Sequence, residues 1–305
     1  TGDYSFLRAY VGADGKPADY SPDNKPYTPK HHLKLASSAL QEQDFVMVLG
    51  YPGGTDRYRL PSELDFAFGY EQPLMVRLLG EGLDIIKAQT AQRRDAEIKL
   101  ANRVAGMANY KKNLEGQQAS YAGSDILARK QADFAALKAW VEKDAARRTQ
   151  FGPALAETER LVAEQQALQR EEGPLGLGRP ALLGVARSLY EWAVQRAKPD
   201  AERKAGFQQR DLPRLRQRLE AFERRYDAAT DQALGVHFLR QYLAQPTAQI
   251  RQPLLDALGL RAGMDEAALK ARLAALAEGS RLAQKDARLA ALNLDASAFA
   301  ASGDS

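Results

Sequence analysis

The chain has 305 residues, 45% apolar and 27% charged, with 43 Lys and Arg against 39 Asp and Glu, a net charge of +4. That composition belongs to a globular protein and excludes a disordered, collagenous or disulfide-scaffold chain. The absence of Cys removes thiol catalysis, thiolate zinc sites and disulfides within this sequence. The small positive excess permits contact with anions without demanding a nucleic-acid partner.

At roughly 100–200 residues per domain, the length suggests two domains. No stretch approaches the ~18–20 uninterrupted apolar residues of a membrane span, so no membrane partner is expected. The first residues, Thr1-Gly2-Asp3-Tyr4-Ser5-Phe6, have neither the basic start nor the apolar core of a signal peptide.

Residues 1–54 read as a small β segment. Tyr4 to Val11 alternates aromatic and aliphatic residues with small or charged ones, which suits a half-buried strand. Gly12-Ala13-Asp14-Gly15-Lys16-Pro17 is then a turn, and Pro17, Pro22, Pro26 and Pro29 keep the next stretch extended. Phe45-Val46-Met47-Val48-Leu49-Gly50-Tyr51, closed by Pro52-Gly53-Gly54, predicts a strand covered on both faces.

From about residue 60 the period becomes helical. Met75, Leu79, Leu83 and Ile86 share one face, as do Leu127, Phe134, Leu137 and Val141, and Leu182, Val185, Leu189 and Trp192. Leu215, Leu219, Phe222 and Tyr226 repeat the pattern, followed by Leu234, Phe238 and Tyr242. Breaks are expected at Ala122-Gly123-Ser124, Phe151-Gly152-Pro153, Gly173 to Pro180, Lys198-Pro199-Asp200 and Gln245-Pro246. Asp211 ahead of Pro213 predicts an N-cap with proline in the first turn. The Ala-rich stretch from Leu289 to Ser305 is expected to be weakly structured. The fold class is therefore mainly α, a bundle of about eight to eleven helices after a small β segment. No internal repeat points to a solenoid.

Several longer strings carry a resemblance. They are Thr1 to Tyr10, Gly15 to Ala18, Tyr27-Thr28-Pro29-Lys30-His31, Asp44 to Gly53, Thr55-Asp56-Arg57-Tyr58 and, further on, Ala108-Asn109-Tyr110-Lys111-Lys112. Together they resemble the bacterial serine dipeptidyl-peptidases of the dipeptidyl-peptidase 7 and 11 family. In that family a chymotrypsin-like double barrel carries a large helical insertion after a Gly-Tyr-Pro-Gly turn. The resemblance implies a partial barrel at 1–54, an all-helical substrate-capping domain at 55–305, and a chain that is an internal fragment of a longer enzyme.

Two residues carry over. Asp3 matches the triad acid, whose role is to fix the tautomer of the His base and stabilise its imidazolium. Asn109 matches a helical-domain residue whose amide oxygen accepts from the substrate's free α-amino group. The family's base lies before the triad Asp and its Ser far after it, whereas His31, His32 and His237 all follow Asp3. Gly303-Asp304-Ser305 echoes a nucleophile signature without the glycines of an oxyanion hole, so this chain alone is expected to be inactive. The resemblance further implies peptide substrates with a free N-terminus, a homodimeric parent, a periplasmic or secreted location, and no cofactor or metal.

Other patterns point elsewhere only weakly. Gly50 to Thr55 lacks the Gly-Lys-Ser/Thr ending of a phosphate loop, and no His pair at metal-ligand spacing occurs. Arg214 to Arg218 and Arg224-Arg225 alternate with Glu220 and Glu223, the pattern of a solvated helix face. A stand-alone helical binding or scaffold module without catalysis is the alternative reading. A helical nucleic-acid binder would rest only on a pI near 9.1.

Overall fold

The computed structural model describes residues 6–47, 49–50, 56–173, 180–246 and 252–302. It divides into two compact units, Thr1–Thr55 and Asp56–Ser305.

In the first unit, β1 (Tyr10–Val11) pairs antiparallel with β2 (Lys25–Pro26), Tyr10 opposite Pro26 and Val11 opposite Lys25. The turn after β1 forms as its chemistry dictates. Gly12 N donates to the Lys16 carbonyl at 2.9 Å, and Gly15 takes a φ of 77° that a side chain would resist. The expected strand over Tyr4 to Val11 shrinks to those two residues. The expected covered strand at 45–51 is not present among its described residues, Phe45, Val46, Met47, Leu49 and Gly50. Phe45 is 90% exposed and its neighbour Val46, which would point to the other face, 61%, so neither face is covered there. Apolarity showed what the segment can bury; a strand also needs neighbours for its amides and carbonyls, and no described strand pairs with it.

The second unit is helical. Its first half contains α1 (Pro61–Phe66), a π-helical turn (Ala67–Glu71), α2 (Gln72–Thr90), α3 (Arg94–Ala122), α4 (Ile126–Glu142) and α5 (Ala145–Glu172). Pro61 and Pro73 sit in the first turns of α1 and α2, where a missing N–H costs little. Pro153 is different. The expected break at Phe151-Gly152-Pro153 does not occur, and α5 runs through it. A proline gives up one amide hydrogen bond but its φ suits a helix. Exposed pairs along α5, such as Arg160 with Glu157 and Glu164, support it locally.

The second half contains α6 (Ala181–Arg196), α7 (Leu212–Glu220), α8 (Ala228–Leu243), α9 (Gln252–Leu258), α10 (Glu266–Gly279), α11 (Lys285–Ala290) and α12 (Ala296–Ala301). The Asp211 expectation is half right: Pro213 lies in the first turn of α7, but the Asp211 carboxylate turns back to accept from Gln208 N at 3.0 Å. It closes the preceding 3-10 turn and does not cap α7.

Helix α8 is the axis of the bundle. Leu234 and Phe238 pack with Leu78 and Ile86 of α2 and Leu100 of α3. Val236, Leu239, Tyr242 and Leu243 pack with Leu255, Leu260, Leu269 and Leu273. A helix buried on both sides loses the amphipathic stripe of a surface helix. Gly82 lets α2 and α3 close up: a Cβ there would lie 2.7 Å from Met107 Cε.

The third core joins Leu182, Leu189 and Trp192 of α6 to Leu215, Leu219, Leu282, Ala291 and Leu292. This corrects the expectation of a weak tail. Trp192 Nε1 donates to the Leu292 carbonyl at 3.2 Å, and Arg196 donates to the carbonyls of Leu292, Asn293 and Leu294. Up to Ser302 the tail holds through tertiary bonds that its Ala-rich composition does not advertise, and Gly303-Asp304-Ser305 lie outside the described residues.

Candidate functional site

The C-terminal half of α3 forms one wall of an open groove of about 790 Å³. Asn109, Lys112, Gly116 and Ser120 line it at steps of three and four residues, so they stack along a single helix face. The lining also includes Phe68 in the π-helical turn and Ile126 and Arg129 at the start of α4.

The local structure follows from the sequence around each part. The π turn widens the helix between α1 and α2 by one residue per turn, a feature frequent at functional sites. Phe68 projects from it and stacks on Tyr121 of α3, ring centroids 3.9 Å apart and planes 3° from parallel. Phe66 at the end of α1 and Tyr70 on the π turn take the Arg170 guanidinium over their rings, at 4.9 and 4.3 Å, which ties α5 to this region. Gln72 donates to Gln117 at 3.1 Å and Gln117 to Asn113 at 2.6 Å, bracing α2 against α3 through two residues that themselves line the groove.

Asn109 is exposed, and among the described residues its amide has no hydrogen-bond partner. It therefore offers a free carbonyl oxygen and two free donors to whatever enters the groove. Lys112 likewise has no carboxylate partner among the described residues, and Arg129 pairs with Asp125 at 2.9 Å on the surface. Among the described residues no acidic side chain lines the groove. Gly116 faces open space, with nothing within 4 Å of where a Cβ would stand.

Asp3 lies outside the described residues, so its geometry and any relation to Asn109 are not described. His237 is on α8, with Nε2 2.8 Å from Glu81 Oε2 of α2, in a polar tie between helices and away from the groove. Among the described residues no group of three or more His, Asp or Glu could hold a metal ion. No helix among them is long and apolar enough to cross a membrane. Sequence reasoning singled out Asn109 but missed Phe68, Lys112, Gly116, Tyr121 and Arg129. The stripe 109-112-116-120 was readable at helical spacing, whereas the Phe68–Tyr121 stack joins two helices and leaves no local signal.

Comparison with known proteins places this geometry in context. A family profile described as Peptidase S46 matches residues 1–305. An Asp/Glu-specific dipeptidyl-peptidase of Shewanella putrefaciens is 38% identical over 305 residues, 100% of this chain and 41% of the relative. A dipeptidyl-peptidase 7 of Porphyromonas gingivalis is 33% identical over 171 residues, 56% of this chain and 24% of the relative. The crystal structure of Porphyromonas endodontalis DPP11 in complex with the dipeptide Arg-Glu matches with a TM-score of 0.57 at 22% identity, covering 97% of this chain and 43% of that one. That likeness shows a shared fold. The chain thus spans less than half the length of each of these relatives.

Proposed function

Because the chain belongs to the peptidase S46 family, we propose that it is part of a serine exopeptidase that releases dipeptides from the free N-termini of peptides. Asp3 supplies the triad acid. The general base and the nucleophile are assigned to the part of the relatives' length that this chain does not span, so the chain by itself is inactive. The first unit is read as a piece of a chymotrypsin-like double barrel. Its exposed Phe6, Leu7, Phe45 and Leu49 are the surface that the remaining strands would cover. The helical unit is read as the family's substrate-capping domain. A periplasmic or secreted location and a homodimeric parent belong to the same reading.

The observation that carries the proposal is the exposed amide of Asn109, without a hydrogen-bond partner among the described residues and open to a groove in a chain that matches the family throughout. An amide oxygen accepts well from an ammonium group, and a helix held by buried packing positions that oxygen rigidly. Recognition of the substrate's charged end sets the register, so that the bond cut is always the second from the terminus.

The test is release of dipeptides from fluorogenic dipeptidyl substrates by the intact peptidase. Asn109→Ala is expected to lower kcat/KM by about 10- to 100-fold, the worth of a hydrogen bond to a charged group. Asp3→Ala is expected to lower kcat by about 10⁴-fold, as when the base loses its orienting partner. Full activity in Asp3→Ala would end the triad assignment. Equal cleavage of free and acetylated peptides would end the role of Asn109.

A further inference from the structure

We propose that the arginines on and around α7 form a docking strip for acidic polypeptide segments, separate from the Asn109 groove. The choice of a polypeptide as partner rests on the peptidase reading above, and nothing in it depends on the role of Asn109.

The strip follows from how α7 is held. Leu215 and Leu219 bury one face of the helix in the third core, to which no described residue of α3 or α4 contributes. Arg214, Arg216 and Arg218 emerge on its other sides, with Arg210 just before the helix and Arg224 and Arg225 just after it. All six are exposed, and none of their guanidinium groups has a hydrogen bond or ion pair among the described residues. The acids between them leave this charge standing. Glu220 is at the i,i+4 spacing from Arg216, but the two form no ion pair. The Glu223 carboxylate accepts from the buried Arg288 at 3.1 Å, and the Asp211 carboxylate from Gln208 N at 3.0 Å. Spacing alone suggests a neutralised helix face; the folded chain presents an array of free cations, which draws anions to it.

The chemistry around the cations selects the anion. No Lys occurs between Gly206 and Tyr226, and the planar guanidinium of Arg grips a carboxylate with two N–H groups at once. Arg214 and Arg218 are one turn apart, about 6 Å along the axis. Alternate side chains of an extended peptide are about 6.6 Å apart, so acids at every second position meet both arginines. No large apolar side chain is exposed between Gln208 and Arg225. The strip thus lacks the wedge that enters a lipid surface and the aromatic platform on which nucleic-acid bases stack.

The test is fluorescence anisotropy of labelled, acetylated peptides titrated with the intact peptidase, one alternating Glu and Ser and one with Gln in place of Glu. Acetylation removes the ammonium that Asn109 is read as holding. The Glu peptide is expected to bind about tenfold more tightly than the Gln peptide at low salt, with the difference shrinking as salt rises. Arg214→Gln/Arg218→Gln is expected to weaken the Glu peptide by about fivefold and Arg214→Glu/Arg218→Glu by more, with the Gln peptide unchanged. Arg214→Lys/Arg218→Lys keeps the charge and is expected to stay within about threefold of wild type. All of these changes are on the surface, and an unaltered circular dichroism melt shows that the fold is kept.

Equal binding of the two peptides, or full affinity in the charge-reversed variant, would overturn the strip. So would tighter binding, through the same arginines, of duplex DNA or of phosphatidylcholine vesicles containing phosphatidylglycerol. Dipeptide release from short fluorogenic substrates, measured on the same preparations, keeps the two readings apart. Release without a preference for the Glu peptide ends the strip and leaves the peptidase reading standing. Arginine-dependent binding of the Glu peptide without release ends the peptidase reading and leaves the strip standing.

Discussion

Asp231 shows how a single buried charge can be placed at a cost and still be useful. Its carboxylate sits at 7% exposure in α8 and accepts from Ala181 N with both oxygens, at 3.1 and 2.8 Å, so it satisfies an orphan amide at the start of α6. Burial, followed by the nearby Asp227 carboxylate, pushes its pKa up, and the Ala181 amide and Arg103 pull back only in part. The folded state therefore holds the proton more tightly than the unfolded one. Stability from this residue is greatest below the ordinary value of 3.8 and declines as pH rises through the raised one. Asp231→Asn keeps an acceptor for Ala181 N without the charge, and is expected to match or exceed wild type in urea unfolding at pH 7. Asp231→Ala loses the acceptor and is expected to cost about 1 kcal/mol. A loss of that size in the Asn variant as well would mean that the charge itself holds α6 in place. Tyr226 feels the same environment: burial, then the charges of Asp231 and Asp227, raise its phenol to about 12.

At the scale of elements, α2 and α8 share a polar tie beside their apolar contact. Glu81 of α2 accepts from Gln241 Nε2 at 2.6 Å and from Arg77 Nη1 at 2.7 Å, and lies 2.8 Å from His237 Nε2. Burial raises the Glu81 pKa, but hydrogen bonds from His237, Gln241 and Arg77 outweigh it and leave the value below 4.5. A lowered acid contributes stability that is fully present above its unfolded value and is lost as pH falls through the folded one. Glu81→Gln is therefore expected to be less stable than wild type at pH 6 by about 1 kcal/mol, and the gap should close as pH falls below about 4.5. A gap that persists unchanged to pH 3 would count against the carboxylate as the source. Such ties explain what was legible in the sequence and what was not. The apolar faces of α2, α6 and α7 follow from residue spacing, because burial on one side imposes the period. His237 read as a bundle-edge residue, since its partner Glu81 belongs to a distant helix. The continuity of α5 through Pro153 and the order of the tail on Trp192 and Arg196 escaped for the same reason: neighbours in space decided them. Asn109 was reached only through the string around it, because a free amide on an exposed helix face has no periodic signature.

For the molecule as a whole, the two units differ in how they are held. Among the described residues every fully buried apolar side chain lies between Leu64 and Leu292, inside the helical unit. The first unit has a two-residue ladder and a turn, while Phe6, Leu7, Leu35, Phe45 and Met47 are each at least 72% exposed. A two-stranded pairing without an apolar face behind it is marginal in water. The stability of the chain should therefore reside in residues 56–302. Removing residues 1–55 is expected to leave the midpoint of the helical melt, followed by circular dichroism, within about 2 °C of the whole chain. The same deletion should reduce binding of a hydrophobic dye, because it removes the exposed aromatic and aliphatic side chains of the first unit. A midpoint lower by more than about 5 °C would mean that the β segment contributes more than 1 kcal/mol to the bundle. The helices would then need that segment to keep their shape.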